Sequence, residues 1–355
     1  SLRVTTPLDY NLRYKTYNYT GDVATASQSK QKEYNWSLKK FAAIEEETYS
    51  PSWHELTPSV FLAPANFQMQ KYTGSMNNWQ EFGHFMYKLN AGRDALPENI
   101  KQKVHELTDH LATPAAKAAT LYKYMQQNTR YISIQLGIGG WQTLDANFVA
   151  SKGYGDCKAL TNYMYALLKE AGVKSYPTLV KAGSGEDDII EDFTSNQFNH
   201  VILFVPLAKD SLWLECTSQT AQPGYMGSFT GNRKALIIDE QDSRLINTPA
   251  YNYDDNLQIR SVSAVLTEDG SLNSDVSTRY TGLQQDRLDA LLEQSSSEGL
   301  KQYMHNMFQL SSYEIQEFKH HKIVGKIPSI EEKLSLKVKN FASLTGKRLF
   351  VTPNV

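Results

Sequence analysis

One cysteine in this sequence has the surroundings that covalent chemistry requires. Cys157 follows Gly155 and Asp156 in a Gly-Tyr-Gly-Asp-Cys-Lys run and opens a helical pattern. Glycine permits a tight turn, and aspartate is a favoured N-cap. A cysteine in the first helical turn points its sulfur at free backbone N–H groups and at the positive end of the helix dipole, which favours the thiolate. We therefore predict that Cys157 is a nucleophile, with Gly155 and Asp156 as its supporting turn and cap, rather than a small buried hydrophobe.

A histidine and a glutamate on two predicted strands could serve this nucleophile. His200 opens an apolar strand, and Glu215 ends the next one after a short turn. In an antiparallel pair joined by that turn, the two side chains can face each other across the ladder. Because a thiolate nucleophile needs a base and the base needs an orienting group, we predict these roles for His200 and Glu215.

The donor that would stabilise an oxyanion is less clearly marked. Gln142 lies upstream in a Gly-Gly-Trp-Gln run and could donate its amide together with the backbone N–H of Cys157. It could equally be an exposed loop residue, and both interpretations stay open.

The predicted secondary structure around these residues changes type twice along the chain. Helical spacing predicts helices at 79–89, 97–111, 114–125 and 157–171, and strands are predicted at 131–134, 176–180, 199–205, 212–215 and 235–238. Before them, strands are predicted at 14–20 and 34–38; after them follow a hairpin around 268–271, a helical insert at 284–308 and strands at 333–338 and 348–351. The sequence thus predicts an α+β fold. Helices pack on an antiparallel sheet at 75–250, between β-rich modules at 1–74 and 251–355 that are both expected to be incomplete.

The site residues lie in a pattern that resembles a known superfamily. The Gly-Asp-Cys-Lys run at 155–158 and its amphipathic helix look like the bacterial branch of the transglutaminase-like superfamily, and so do the Asn-His-Val strand at 199–201 and the Glu-x-Thr at 215–217. The resemblance implies a papain-like core, with the flanking β-rich modules that commonly accompany it. It assigns Cys157 as nucleophile, His200 as base and the residue at 215 as orienting acid. Two positions depart from the pattern, because the family usually has aspartate at 215 and commonly at 159, where this chain has Ala159.

These features predict a cysteine protease or amidase that acts on a peptide or protein substrate through a thioester on Cys157. One alternative is an amine-accepting transglutaminase, and another is a cell-envelope binding or assembly protein with weak or no activity. The chain begins at Ser1 and is interpreted as a processed form. We expect it to be exported, to the periplasm or the cell surface, without a signal peptide in this chain.

Composition excludes several classes of protein. The 36 basic and 38 acidic residues leave a formal charge of -2, which argues against a nucleic-acid binder. No apolar run approaches the roughly 20 residues of a transmembrane helix. Two cysteines cannot form a disulfide scaffold or a four-cysteine metal site, and Cys216, next to the predicted acid, is interpreted as core.

The remaining motifs are not interpreted as sites. His105 and His110 are five residues apart, so they diverge on a helix and do not form the zinc-protease motif. The glycines at 137–140 are interpreted as a bend. The acidic loop at 183–192 is interpreted as solvated, with a cleft rim that favours basic substrates as the alternative. We predict no metal and no cofactor, and the sequence leaves the oligomeric state open.

Overall fold

The computed structural model describes residues 1–45, 47, 48, 50–307, 310 and 312–352. Within these residues the chain is a mixed α/β protein with several antiparallel sheets, and the predicted combination of helices with antiparallel strands is confirmed at this level. The division at 74 and 250 stays a prediction.

The N-terminal part of the chain is built mainly from strands. They are β1 (Leu2–Pro7), β2 (Leu12–Tyr17), β3 (Ala24–Gln28), β4 (Gln31–Trp36), β5 (Ser59–Pro64), β6 (Asn66–Met69) and β7 (Tyr72–Ser75), with the short helix α1 (Trp53–Leu56) before β5. The sheet order is β1-β4-β3, and β2–β5 and β6–β7 are separate pairs. Tyr14 of β2 packs edge to face on Trp36 of β4, with ring centroids 5.2 Å apart. Both predicted strands in this region are present and begin a few residues earlier than predicted.

The middle of the chain begins with helices. They are α2 (Trp79–Asn90), α3 (Glu98–Thr108), α4 (Pro114–Asn128), α5 (Ala146–Lys152) and α6 (Cys157–Glu170), and a 3-10 helix spans Gly137–Gly140 where a bend was predicted. Asn78 caps α2 by accepting from the Glu81 N–H at 2.9 Å. The sequence analysis missed α5, because seven residues with only Ala146 and Val149 buried show little periodicity.

An antiparallel sheet follows the helices. Its strands are β10 (Tyr176–Val180), β11 (His200–Pro206), β12 (Ser211–Leu214), β13 (Lys234–Ile237) and β14 (Leu245–Asn247), and the order is β12-β11-β10-β13-β14. A short helix, α7 (Gly227–Thr230), precedes β13. α6 packs against this sheet through a buried apolar cluster, and the Thr161 hydroxyl donates to the Val201 carbonyl at 3.1 Å. The strand order places β11, which begins at His200, beside both β10 and β12.

A small parallel pair of two-residue strands lies next to α6. β8 (Arg130–Tyr131) pairs with β9 (Tyr154–Gly155), so the strand predicted at 131–134 is shorter than expected. The pairing ends early because the chain turns into α6 at Cys157, directly after Asp156.

The C-terminal part contains a second antiparallel sheet. Its elements are β15 (Gln258–Leu266), β16 (Leu272–Thr281), α8 (Leu283–Gln294), α9 (Ser297–Met307), β17 (Tyr313–Ile323), β18 (Ser329–Val338), β19 (Ser343–Thr345) and β20 (Arg348–Phe350). The sheet order is β15-β16-β18-β17, and β19 pairs with β20. The hairpin predicted around 268–271 joins β15 to β16, with Gly270 at φ 81°. The helical insert is present as two helices, and its predicted end at Phe308 lies outside the described residues.

Side-chain hydrogen bonds join the three parts of the chain. Arg13 of β2 donates to the Thr194 carbonyl at 2.9 Å. On the other side, the Tyr225 hydroxyl donates to Asp286 of α8 at 2.6 Å, and the Gln222 side chain accepts from the Gly325 N–H at 3.0 Å. Both flanking parts therefore contact the segment that holds Cys157.

Gly83 of α2 is expected to be intolerant of any side chain. A Cβ there would lie 2.2 Å from Cβ of Ser243 and 2.4 Å from its hydroxyl oxygen. We expect Gly83→Ala to lower the free energy of unfolding by about 1–3 kcal/mol, because α2 must move off the Ser243 turn. Urea unfolding measures the change. Gly139→Ala, where a Cβ would meet nothing within 4 Å, is the control, and equal effects of both substitutions would contradict the prediction.

Candidate active site

Cys157 is the first residue of α6, and its position depends on the turn that precedes it. Asp156 is the N-cap, with extended backbone angles, and its Oδ1 accepts from the Ala159 N–H at 2.9 Å. Gly155 is required by a close approach, since a Cβ would lie 2.7 Å from Cβ of Ala159. Gly153 ends α5 at φ 68°, a left-handed conformation that favours glycine. The thiol therefore lies at the N-terminal end of a long helix, where backbone N–H groups stabilise negative charge.

His200 and Glu215 come together on adjacent strands. In the antiparallel β11–β12 ladder Leu203 pairs with Leu214. Continuing that register places Glu215 on the same face of the sheet as His200, diagonally across from it by two residues. Nε2 of His200 lies 2.9 Å from Oε1 and 3.0 Å from Oε2 of Glu215. Both residues are buried. The diagonal offset gives the longer side chain of glutamate room to reach the imidazole.

The same imidazole also interacts electrostatically with the cysteine. Burial by itself lowers the pKa of His200, but the Glu215 carboxylate and hydrogen bonds with Cys157 and Glu215 outweigh burial and raise that pKa to about 10. For Glu215, burial raises the pKa, whereas the charge of His200 and hydrogen bonds from His200 and Thr217 lower it below the ordinary value. The structure thus brings Cys157, His200 and Glu215 into one buried group in which the imidazole is the middle member and its charged form is favoured.

Two residues that the sequence analysis did not assign hold Glu215 in place. The Thr217 hydroxyl donates to Oε1 of Glu215 at 2.5 Å, and the Thr217 N–H donates to the same atom at 3.2 Å. The buried Tyr122 hydroxyl of α4 donates to the Glu215 carbonyl at 2.7 Å. The Glu-x-Thr spacing was a visible signal for Thr217, whereas nothing in the sequence marked Tyr122.

Phe229 and Arg233 form a second layer next to His200. The Phe229 ring of α7 packs on the imidazole with centroids 5.4 Å apart and is itself 45% exposed. The buried Arg233 guanidinium donates to the carbonyls of Lys181, Gly183 and Ser228 at 2.9, 2.5 and 3.2 Å, and also to that of Glu186 at 3.2 Å. The Gly183 N–H in turn donates to the Phe229 carbonyl at 2.9 Å. These bonds fix the start of the acidic loop and α7 against the histidine.

Gln142 is placed against α2. Its side-chain amide donates to the Leu89 carbonyl at 2.8 Å and to the Tyr72 hydroxyl at 3.3 Å. Both amide hydrogens are used in these bonds, so a role as oxyanion donor would require Gln142 to give up one of them. The backbone N–H of Cys157, at the first position of α6, needs no such rearrangement.

The second cysteine lies in the apolar core. Cys216 is buried in the cluster that holds α6 on the sheet. Burial raises the pKa of its thiol far above the ordinary range, and the nearby Glu215 carboxylate adds to that effect. The interpretation of Cys216 as a core residue agrees with this environment.

The other sequence signals have structural partners. His105 lies 3.0 Å from Asp109 and 3.3 Å from Glu170. In the acidic loop, Asp188 accepts from the Lys234 N–H at 2.9 Å, and Glu191 pairs with the Lys234 ammonium at 3.1 Å, so this loop is partly bonded to β13.

Across the described ranges, no three His, Cys, Asp or Glu side chains are grouped as metal ligands. No helix in the described part of the chain has the length and apolar character of a membrane span.

Comparisons with known proteins give one distant neighbour. No protein-family model matches the sequence, and no curated protein matches it. A crystal structure of a "putative protease" from Parabacteroides distasonis is similar at 13% sequence identity with a TM-score of 0.49. The match covers 98% of this chain but only 66% of the neighbour, so the chain spans less than two thirds of that protein's length. Similarity at this level assigns neither a family nor an activity, and the chemistry has to be argued from the site itself.

Proposed function

We propose that this protein is a cysteine hydrolase of the transglutaminase-like superfamily that cleaves an amide bond of a peptide or protein substrate. The observation that carries the proposal is the position of the His200 imidazole, which interacts electrostatically with Cys157 and lies within 3.0 Å of both Glu215 carboxylate oxygens. The superfamily motifs at 155–158 and 215–217 support it. The packing of α6 on an antiparallel sheet supports a papain-like core.

The geometry suits nucleophilic catalysis by a thiolate. His200 takes the thiol proton, and the Cys157 sulfur attacks the amide carbonyl carbon as a thiolate. The oxyanion that forms accepts a hydrogen bond from the Cys157 N–H at the start of α6. His200 then donates its proton to the amide nitrogen, the C–N bond breaks, the amine leaves, and a thioester remains. Water attacks the thioester while His200 accepts its proton, which releases the carboxylic acid and restores Cys157. Glu215 stabilises the imidazolium in both half-reactions.

A second candidate function is supported by the burial of the nucleophile. Cys157 is only 3% exposed and shares an apolar cluster with Met86, Leu179 and Val201. An enzyme must open this cluster to admit a carbonyl group, whereas a binding or assembly protein of the cell envelope needs no such opening. In that alternative the β-rich segments 1–74 and 251–355 would supply the docking surfaces, and in the hydrolase they would present the substrate.

Alkylation at pH 6 tests whether the cysteine is poised for chemistry. Iodoacetamide should modify Cys157 at least tenfold faster than Cys216, because Cys157 lies at a helix N-terminus beside an imidazole, whereas burial raises the pKa of the Cys216 thiol. Mass spectrometry resolves the two sites. His200→Ala should remove the difference, and His105→Ala, a histidine outside the site, should leave it unchanged. If Cys157 reacts no faster than Cys216 in the wild type, the binding protein is the better description.

The molecule that accepts the acyl group, water or an amine, distinguishes hydrolysis from acyl transfer. A peptide ester that acylates Cys157 should yield the free acid at the same rate with and without added primary amine. Amine incorporation that outpaces release of the acid would make the protein a transglutaminase instead.

A further inference from the structure

The two edge strands of the C-terminal sheet differ in how they are protected against pairing with another chain. β17 carries six charged or ionisable side chains between positions 314 and 322, and it has a β-bulge between Ile315 and Glu317. Charges and bulges are devices by which edge strands avoid such pairing. β15, at the opposite edge, pairs with β16 over nine residues in unbroken register, and Arg260 is its single charged residue. The β15 edge is therefore largely unprotected.

Every second residue of β15 directs its backbone groups away from the sheet. The Thr267 N–H donates to the Ser271 carbonyl at 2.8 Å, and the Thr281 N–H donates to the Leu257 carbonyl at 2.9 Å. These bonds mark hydrogen-bonded pairs at both ends of the ladder, so the odd-numbered residues of β15 bond to β16. The even-numbered residues from 258 to 266 direct their N–H and C=O groups outward. Within the described part of the chain, no hydrogen bond reaches these outward groups.

β15 also exposes apolar side chains on both of its faces. Ile259, Val262 and Val265 are 55%, 59% and 62% exposed. Val262 lies opposite Val276 of β16, and Val276 lies opposite Leu334 of β18, which is buried in the core of this part of the chain. Directly opposed residues share one face of a sheet. An apolar row that starts in the core therefore ends in water at Val262.

The order of residues along β15 is self-complementary about Val262. If a second copy of β15 is placed antiparallel with the two Val262 residues opposed, even-numbered residues meet even-numbered ones, and the outward N–H and C=O groups pair along the whole strand. Ile259 then faces Val265 of the second copy in a non-hydrogen-bonded pair, in which side chains lie closest. Arg260 faces Ala264 of the second copy, so two like charges do not meet.

The neighbouring registers fit less well. With the two-fold axis at Ser261, Ile259 would face Ser263 of the second copy. With the axis at Ser263, Val265 would face Ser261. Both shifts replace an apolar contact by a contact with serine, and both shorten the ladder, so the register about Val262 is the one that this strand favours.

We propose that two copies of this chain associate through β15, with the two-fold axis at Val262. Each copy contributes four strands to one continuous eight-stranded sheet. The apolar row that ends at Val262 continues into the same row of the second copy, so both valines are covered. Because a single strand edge is a small interface, the dimer should form at concentrations of about 1–100 μM. The proposal concerns association alone and does not depend on the reactivity of Cys157.

Sedimentation velocity of the intact protein across this concentration range tests the proposal. The wild type should change from monomer to dimer. Val262→Lys places two ammonium groups opposite each other at the axis and should weaken association about tenfold or more. Val324→Lys, which alters another exposed valine between β17 and β18, should leave association unchanged. Near-ultraviolet circular dichroism verifies that both variants are folded.

A mixture of the Ile259→Cys and Val265→Cys variants tests the register. Opposed residues of a non-hydrogen-bonded pair have Cα atoms about 4.5 Å apart, which a disulfide can bridge. Mild oxidation should therefore give a disulfide-linked dimer in the mixture, and mass spectrometry should identify the linked peptides. Neither variant alone should form this dimer, because identical positions would lie about 20 Å apart along the strands.

Four outcomes would overturn the proposal. They are a wild type that stays monomeric across the concentration range, equal association of the two lysine variants, no cross-link in the mixture of cysteine variants, and a cross-link at these positions in either cysteine variant alone.

Discussion

Glu215→Gln is expected to slow acylation of Cys157 about 10²- to 10⁴-fold. Glutamine keeps the size of the side chain but removes the charge that both carboxylate oxygens present to His200 within 3.0 Å. Without that charge, burial lowers the pKa of His200 and the imidazolium is lost. The burst of 4-nitrophenol from 4-nitrophenyl acetate measures acylation. Glu215→Asp retains the charge on a side chain that is one methylene shorter, so its rate should lie between those of the wild type and Glu215→Gln; equal rates for the wild type and Glu215→Gln would exclude the orienting role.

The same pair should make stability depend on pH in a defined window. The pKa of His200 is raised to about 10 in the folded protein, so its contribution is complete below pH of about 6.5 and is lost as pH rises through 10. The pKa of Glu215 is lowered, so its contribution is present above about pH 4.5 and is lost as pH falls below that value. The stability difference between the wild type and Glu215→Gln should therefore be largest near pH 5–6 and shrink toward pH 10 in urea unfolding.

Asp156→Asn is expected to destabilise the fold by about 3–5 kcal/mol. Asparagine is still a good N-cap, so the helix start is preserved. The Lys158 ammonium, however, loses the carboxylate with which it pairs while only 9% of that lysine is exposed. An unpaired buried charge is far costlier than a lost surface pair. Urea unfolding at pH 7 measures the effect.

A double substitution isolates the charge from other effects at this position. In a Lys158→Met background there is no ammonium to leave unpaired, so Asp156→Asn should cost less than about 1 kcal/mol. If Asp156→Asn is equally destabilising in both backgrounds, the carboxylate acts through the turn and not through Lys158.

The local hydrophobic pattern of the sequence predicted secondary structure well where an element is long and amphipathic. The stripe that predicted a helix from Cys157 packs on the sheet as α6, and the Gly-x-Gly-Asp approach is used for a close contact and a cap. The hairpin at Gly270 followed from turn chemistry. His200 and Glu215 could be placed together because a short turn joins their strands, which limits the possible register.

Other features depend on distant parts of the chain. Tyr122 reaches Glu215 from a different helix, and Arg233 binds carbonyls up to 52 residues away. The Gln142 side chain donates to a carbonyl of α2. Hydrophobic periodicity alone does not predict that α2 lies beside Gln142. Such contacts leave no periodic trace in a single sequence, because each partner satisfies only its own local pattern.

Arg233 has a consequence for how the region around His200 can move. Its guanidinium joins the carbonyls that follow β10 to those of α7, and it directly precedes β13. One side chain thus links the segment after β10, α7 and the start of β13, and we expect these three segments to move as a unit. A backbone motion of this region must therefore break or carry along all of these bonds, which makes it a collective event.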